Sequence, residues 1–217
     1  MCASFEIKKS LTEIASYFDV QLEEEFPRND RIYPFSIAPV VVMEAGSRLV
    51  RPMSFSLIPS WSSEPRTKFA THNARVESID SKATWKTPLS IHRCLVPITN
   101  FFEPIYSGKF SGHMVGFHLK GYDLLSAVGI WNEWVDKKTG EIVPSFTIIT
   151  CEPNAFVKSI GHDRSPLFVN EEFWDTWVSD KKEDPSKIKK LLQKNVINEK
   201  LILEVTQDRA LKKKTKA

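Results

Sequence analysis

The sequence lacks the features that mark exported and membrane-bound proteins. It has only three cysteines, an odd number at scattered positions, so no disulfide framework is expected. No apolar run approaches the ~20 residues that a membrane-spanning helix needs. The amino terminus does not show the basic, apolar and small-residue succession of a signal peptide. We therefore expect a soluble protein of the reducing cytoplasm.

Residue patterns for several kinds of site are missing as well. Glycine is scarce, with eight in 217 residues, and no glycine-rich loop of the kind that cradles phosphates is present. His92 and Cys94 have no Cys-x-x-Cys or His-x-x-x-His companion, and His113 and His118 face opposite sides of a predicted strand. Neither a zinc site nor another cofactor is expected. A Gly-x-Ser-x-Gly elbow is also absent.

What is present is typical of a globular protein: 41% of the residues are hydrophobic, including 14 Phe and 6 Trp. The length fits one sizeable domain. We expect a catalytic domain over residues 1–180 and an appendage over 181–217, made of a helix, a short strand and a basic tail. The net charge of +3 does not by itself argue for nucleic acid.

Local patterns predict an α+β fold. A capping box at Ser10 and Glu13 predicts a helix over about residues 10–18. Later capping signals predict helices over 154–160, 171–178 and 184–193. β-branched and aromatic runs predict strands within 31–59 and at 94–98, 114–119, 124–131 and 146–151. Together they predict a curled, mainly antiparallel sheet with a barrel-like core and peripheral helices.

Cys2 combines two nucleophiles if Met1 is removed, as is typical when the second residue is small. The reference pKa is about 7.7–8.0 for the α-amine and about 8.5 for the thiol, so part of the amine is nucleophilic at neutral pH. Such a pair forms an imine with an aldehyde and then closes through sulfur to a thiazolidine. A second residue without a chemical role is the alternative interpretation.

Three other stretches carry candidate chemistry. Strand alternation after His72 places Asn73, Arg75 and Glu77 on one polar face, whose partner is either solvent or a ligand. Glu103 follows two aromatic residues, and burial there would raise its pKa and suit it to acid and base catalysis. A salt bridge at the protein's rim is the alternative for this carboxylate.

The third stretch is the loop after the helix that is predicted to end at Gly161. His162 lies beyond the helix and is placed to point into a cleft, where an imidazole exchanges protons near neutral pH. Arg164 lies two residues further on, and a guanidinium binds phosphate well. A solvent-exposed loop is the alternative.

Read in order, a series of short segments resembles the SRAP family, named after SOS-response-associated peptidase, whose members shield abasic sites. The segments are Met1-Cys2 and residues 37–39, 57–61, 73–77, 93–97, 102–103, 127–131, 147–150 and 162–166. The resemblance runs from residue 2 to about residue 178.

The resemblance implies an enzyme that cross-links itself to abasic sites in single-stranded DNA. After autoproteolytic or aminopeptidase removal of Met1, the Cys2 amine would attack the aldehyde of the opened sugar, and the thiol would close a thiazolidine. Glu103 would act as acid and base, and His162 would stabilise or protonate the sugar hydroxyl. Asn73 would orient Cys2. A lyase activity that reverses the adduct is implied as a further step.

The resemblance also implies the DNA contacts. Arg75 and Arg164 would hold flanking phosphates, and Trp61 and Pro39 would stack on or wedge between bases. The chain departs from the usual family pattern where Met-Cys-Gly-Arg has its arginine, because residue 4 is serine. Further departures are Ser62, Pro104 and Ser165.

Two other functions stay open from the sequence. One is a thiol peptidase or amidohydrolase, in which the Cys2 thiolate attacks an amide and its own amine is the base. The other is a non-covalent single-strand binding module that relies on Trp61 and the arginines. A monomer without membrane contacts is expected in each case.

Overall fold

The computed structural model describes residues 4–22, 25–119, 121–197 and 203–210. The strands are β1 (Ser4–Glu6), β2 (Arg31–Ile32), β3 (Ile37–Glu44), β4 (Ser47–Phe55), β5 (Asn73–Arg75), β6 (Arg93–Ile98), β7 (Asn100–Pro104), β8 (His113–Leu119), β9 (Leu125–Val135), β10 (Ile142–Cys151), β11 (Ser165–Pro166) and β12 (Leu203–Ala210). The helices are α1 (Leu11–Phe18), α2 (Ala83–Ile91), α3 (Ala155–Ile160), α4 (Trp174–Val178) and α5 (Pro185–Lys194), with 3₁₀ turns at Val76–Ser78 and Glu171–Phe173.

Five strands close into a barrel. The ring runs β10-β4-β3-β6-β9, and β9 pairs back with β10. All of its pairings are antiparallel except that of β4 with β10. β5 and β11 add to the carboxyl-terminal end of β10. The predicted α+β fold with a curled, mainly antiparallel, barrel-like core is confirmed.

A second, antiparallel sheet has the strand order β12-β8-β7-β1-β2. Its inward face carries Phe5, Phe101 and Phe117, which are adjacent in the register and fully buried. Phe5 packs edge-on against Phe55 of the barrel, with ring centroids 5.2 Å apart. Because burial of each such side chain contributes about 1.5–3 kcal/mol, these rings hold the sheet against the barrel.

The capped helices form where their signals predict them. Ser10 and Glu13 form the complete capping box of α1, Asn154 caps α3, and Asp184 caps α5. The predicted helix over 171–178 is wrong in its first turn, which is 3₁₀ before α4 begins. The sequence patterns missed α2 because it contains Pro88 and has no side-chain cap.

The described carboxyl-terminal segment contacts the rest of the fold through both a strand and a helix. β12 pairs with β8, from Leu203 opposite Leu119 onward. Lys189 of α5 lies 2.9 Å from a carboxylate oxygen of Asp80. The domain boundary at residue 180 stays a prediction, and the basic run at 212–216 lies outside the described residues.

Candidate active site

Glu103 is a fully buried carboxyl group in the second sheet. It lies in β7, between β1 and β8, with Val115 as its cross-strand partner. Strand alternation places it on the same face as Phe101, and no part of it is exposed. Burial raises the pKa of Glu103 to about 8. The group is therefore mostly protonated at neutral pH and is suited to both donating and accepting a proton.

His162 is brought to Glu103 by the end of α3. Gly161 ends this helix at φ +104°, and a Cβ on it would lie 2.5 Å from the Ser107 carbonyl oxygen, so the position requires glycine. The chain then turns inward, and His162 is 4% exposed. Its Nε2 lies 3.2 Å from Oε2 of Glu103.

Burial governs the charge of this pair. It lowers the pKa of His162, because the imidazolium loses hydration inside the protein. Since the pKa of Glu103 is raised by the same cause, the two groups are both neutral near pH 7. The contact therefore joins a neutral carboxylic acid to a neutral imidazole at 3.2 Å, rather than two ions. Such a pair moves a proton over a short distance without exposing a charge to solvent.

Arg164 is buried and bound on two sides. Its Nη1 and Nη2 donate to the two carboxylate oxygens of Glu77, at 2.8 and 3.1 Å. Nη2 also donates to the carbonyl oxygen of Thr150, at 2.6 Å. The phosphate-binding role of Arg164 stays a prediction, and its guanidinium already serves to fix the segment that carries His162.

Strand alternation puts Glu77 on one face with Asn73 and Arg75, and this expectation is wrong. β5 ends at Arg75, where its parallel pairing with Thr150 of β10 ends, and Glu77 lies in the 3₁₀ turn Val76–Ser78. The turn directs the carboxylate of Glu77 to Arg164.

The end of β10 brings the predicted residues into one region. Thr150 is flanked by Arg75 on β5 and by Pro166 on β11. Asn73, on β5, is 8% exposed and donates from Nδ2 to the His72 carbonyl oxygen at 2.5 Å. This end of the barrel therefore carries Asn73, Arg75 and the segment from His162 to Arg164 together.

A cavity of about 460 Å³ opens in this region, lined by residues that include Arg75, Lys158, His162 and Arg164. Arg75 is exposed, and no described residue forms a hydrogen bond or ion pair with its guanidinium. Lys158 is the basic residue in the last turn of α3. The cavity thus joins a proton-exchanging imidazole to cationic side chains that attract an anionic ligand.

The predicted base contacts differ in exposure. Trp61 is 57% exposed and stacks on Phe69, which is 49% exposed, with ring centroids 6.1 Å apart and planes 28° apart. Pro39 is buried in β3, opposite Pro52, so a wedging role would need it to become exposed on binding. Both roles stay predictions. The sequence patterns above do not single out Phe69, which is an aromatic residue within a polar loop.

Arg31 is a second residue that the sequence patterns do not single out. Its Nη2 donates to Oγ of Ser4 at 2.9 Å, and its guanidinium lies over the Phe102 ring, 3.1 Å from the centroid. Its Nη1 is 3.5 Å from the Glu6 carboxylate. A guanidinium therefore stands beside residue 4 although residue 4 is serine. The pairing of β1 with β2 on one side and with β7 on the other creates this neighbourhood.

Cys2 lies outside the described residues. Among the residues that the structure describes, no group of three His, Cys, Asp or Glu side chains is arranged to hold a metal ion. No helix in that part of the chain has the length and apolarity to cross a membrane.

The fold and the site define an α+β barrel protein with a buried carboxylic acid and imidazole pair beside a cationic cavity. The chain belongs to the SRAP family, SOS response associated peptidase, whose profile matches residues 1–208.

Its relatives in this family include proteins named as abasic site processing proteins. It is 26% identical over 197 residues to abasic site processing protein YoaM of Bacillus subtilis, covering 88% of this chain and 85% of that one. It is also 26% identical over 156 residues to abasic site processing protein HMCES of Gallus gallus, covering 62% of this chain and 46% of the relative.

Solved structures show the same fold. A protein from Bacteroides thetaiotaomicron superposes with a TM-score of 0.77 at 22% identity, covering 95% of this chain and 92% of the other. A protein from Bordetella bronchiseptica gives 0.76 at 16% identity, covering 95% and 100%.

Proposed function

We propose that this protein processes abasic sites by covalent capture in single-stranded DNA. The observation that supports it most is the buried pair of Glu103 and His162 next to the strand that leads from Cys2. Ser4 is the cross-strand partner of Phe102, the residue before Glu103. Two residues of chain span at most about 7 Å, so Cys2 is tethered within that reach of Ser4.

The chemistry requires both nucleophiles of Cys2. Once Met1 is removed, by autoproteolysis or an aminopeptidase, the α-amine adds to the aldehyde carbon of the opened sugar and water leaves, which gives an imine. The thiol sulfur then adds to the imine carbon, and its proton moves to the nitrogen. The product is a thiazolidine, and no oxidant or reductant is consumed.

The described residues have defined parts in these steps. Glu103, neutral at pH 7, donates a proton to the sugar ring oxygen as the ring opens and to the hydroxyl that leaves as water. His162 receives or returns that proton through Nε2. Asn73 orients the Cys2 amine and the closing ring.

DNA is held by the surface around this centre. Arg75 and Arg164 are proposed to bind the phosphates that flank the lesion, and Arg31 adds a guanidinium at residue 4. Trp61 and Phe69 offer a stacked pair of exposed rings for neighbouring bases. Pro39 is proposed to wedge between bases when DNA binding exposes it. We expect the protein to act as a cytoplasmic monomer.

An aldehyde requirement tests this proposal. The protein is incubated with a single-stranded oligonucleotide that contains one abasic site, and with the same oligonucleotide carrying a tetrahydrofuran residue, which has no aldehyde. A covalent band on a denaturing gel with the abasic strand alone supports capture. Equal retention of both strands, and only under native conditions, would instead support a non-covalent binding module. Cleavage of an amide substrate without any adduct would support a thiol peptidase.

A further inference from the structure

The Nδ1 atom of His162 faces two partners that belong to one residue. It lies 2.9 Å from the carbonyl oxygen of Arg164 and 3.1 Å from the backbone nitrogen of Arg164. An Nδ1 that carries a proton donates to the carbonyl, and an Nδ1 without one accepts from the N–H. The two bonds exclude each other at any one moment. The Arg164 backbone therefore offers a partner for either form of the imidazole.

Nε2, the other ring nitrogen, faces Glu103 in both forms. With two protons on the pair, Nδ1–H donates to the Arg164 carbonyl, and Nε2 accepts from the carboxylic acid of Glu103. With one proton, Nδ1 accepts from the Arg164 N–H, and Nε2–H donates to the Glu103 carboxylate. The pair thus loses or gains one proton while Nδ1 keeps a hydrogen-bond partner in both forms, which matters because unsatisfied buried polar groups are costly.

This arrangement depends on where the Arg164 backbone lies, and its side chain fixes that position. Glu77 holds the guanidinium in a two-point contact, and Thr150 of β10 accepts from it through both its carbonyl and its hydroxyl oxygen. Lys189 of α5 in turn donates to the Glu77 carbonyl oxygen at 2.6 Å. The segment that carries His162 is thereby tied to β10 and to the turn Val76–Ser78.

We propose that Glu77 and Arg164 form a positioning clamp that keeps Nδ1 of His162 hydrogen-bonded in both protonation states of the Glu103–His162 pair. Glu77 is then a positioning residue for the reaction, although it does not touch the pair. The catalytic consequence rests on the proposed function. The two hydrogen-bonded forms of the His162 imidazole do not depend on the proposed function.

The charged groups around His162 come from several elements. Glu103 faces it from β7, and Asp163 and Arg164 follow it in the chain. Arg75 and Lys158 line the same cavity from β5 and α3. The expected titration belongs to Glu103 and His162 as a coupled pair in the field of these groups.

Nuclear magnetic resonance of the imidazole nitrogens tests the clamp without DNA. In protein labelled with ¹⁵N at histidine, the His162 signals are assigned by their loss in His162→Asn. On raising the pH from about 6 to about 10, across the range in which the pair loses one proton, we expect the proton to leave Nδ1 and the Nε2–H form to appear. A single tautomer throughout would overturn the proposal. In Glu77→Ala we expect a mixture of both tautomers at each pH, and an unchanged pattern would remove Glu77 from the clamp.

The rate of adduct formation on abasic single-stranded DNA tests the consequence. Misplacement of a reacting group by about 1 Å costs roughly 100-fold, so Glu77→Ala should slow the reaction by about 10- to 100-fold and alter its pH profile. The rates are compared at saturating DNA, so that a change in the proposed phosphate contact of Arg164 does not enter the comparison. Glu133→Ala is the matched control, because Glu133 is also partly exposed and paired with an arginine, Arg51, at 3.2 Å.

The outcomes separate the two proposals. A tautomer change in a wild-type protein that forms no adduct contradicts covalent capture and leaves the clamp standing. An adduct rate that is equal in wild type and Glu77→Ala contradicts the positioning role of Glu77. If Glu77→Ala does not fold, Glu77→Gln gives the same readouts, with the carboxylate charge removed and the side-chain shape kept.

Discussion

Nε2 of His162 lies 3.2 Å from Oε2 of Glu103, and this contact joins the second sheet to the barrel. Glu103 comes from β7, whereas His162 lies between α3 and β11. Because both side chains are buried, their contact is protected from water. The chemistry proposed above follows from the neutrality of this pair near pH 7.

The raised pKa of Glu103 predicts a pH-dependent cost to stability. An unfolded glutamate titrates near about 4.3, and folding raises the pKa of Glu103 to about 8. Between these values the folded protein binds more protons, so its stability falls as pH rises through this window. Glu103→Gln removes that loss. Its Tm relative to wild type should therefore be higher at pH 8.5 than at pH 5, by at least about 2–4 °C, which corresponds to about 1 kcal/mol.

Glu13→Gln is the control for this measurement, because its Tm relative to wild type should be almost the same at pH 5 and at pH 8.5. The backbone N–H of Ser10 lowers the pKa of Glu13, so the stability that its carboxylate contributes is lost only below the unfolded pKa of about 4.3, outside this pH range. A difference in Tm between wild type and Glu103→Gln that does not change with pH would contradict a buried, neutral Glu103.

The exposed ring pair predicts a loss of strand affinity on truncation. Base stacking on an aromatic side chain is worth about 1–3 kcal/mol, so Trp61→Ala and Phe69→Ala should each weaken binding of undamaged single-stranded DNA by about 5- to 150-fold. Fluorescence anisotropy measures this change. Tyr122→Ala is the control, since Tyr122 is 51% exposed and lies in the turn between β8 and β9. Equal losses for all three variants would argue against a specific platform.

Replacing Arg75 should change how the affinity for single-stranded DNA depends on salt concentration. A residue that neutralises one phosphate of a single strand contributes about 0.7 to the slope of log affinity against log salt concentration. Arg75→Ala should reduce the slope by about this amount and weaken binding similarly for every sequence. Arg48→Ala, which removes an arginine paired with Asp175 near Trp174, should leave the slope unchanged. A loss of affinity in Arg75→Ala at constant slope would contradict a phosphate contact.

Arg93 predicts a large effect on stability. It is 1% exposed, and its guanidinium donates to backbone carbonyls near the ends of α2 and α4, those of Leu89, Ser90, Trp177, Ser179 and Lys181. Arg93→Met leaves these buried acceptors unsatisfied, so the free energy of unfolding should fall by at least about 3 kcal/mol in a denaturant titration. Arg48→Met should cost no more than about 1 kcal/mol. A comparably small loss in both variants would contradict the capping role of Arg93.

The parts of the fold that the sequence predicts are those with local causes. The capping box of Ser10 and Glu13, the cap of Asn154 and the glycine after α3 each act within a few residues, and their helices form where predicted. α2 has no such signal and contains Pro88, so it forms through packing of Trp85 and Leu89 in the core. The closure of the barrel depends on pairing of β9 with β10, which the alternation of apolar residues alone does not specify.

The same distinction applies to the site. Glu103 could be singled out because aromatic neighbours in the sequence signal burial, and the direction of its pKa follows from that. The contact between Glu77 and Arg164 spans 87 positions and depends on the end of β5, which no local pattern fixes. The roles assigned to Cys2, Asn73 and His162 stay predictions for experiment.

Covalent capture through the amine and thiol of Cys2 is the central claim, and a denaturing gel of the adduct tests it most directly. Wild-type protein with Met1 removed, as checked by intact mass, should form a band with abasic single-stranded DNA that survives heating without a reductant. Cys2→Ser keeps the amine and loses the thiol, so its band should require borohydride trapping, and a tag fused ahead of Cys2 should give none. A heat-stable band that persists in Cys2→Ala, or no band in the wild type, would contradict the account.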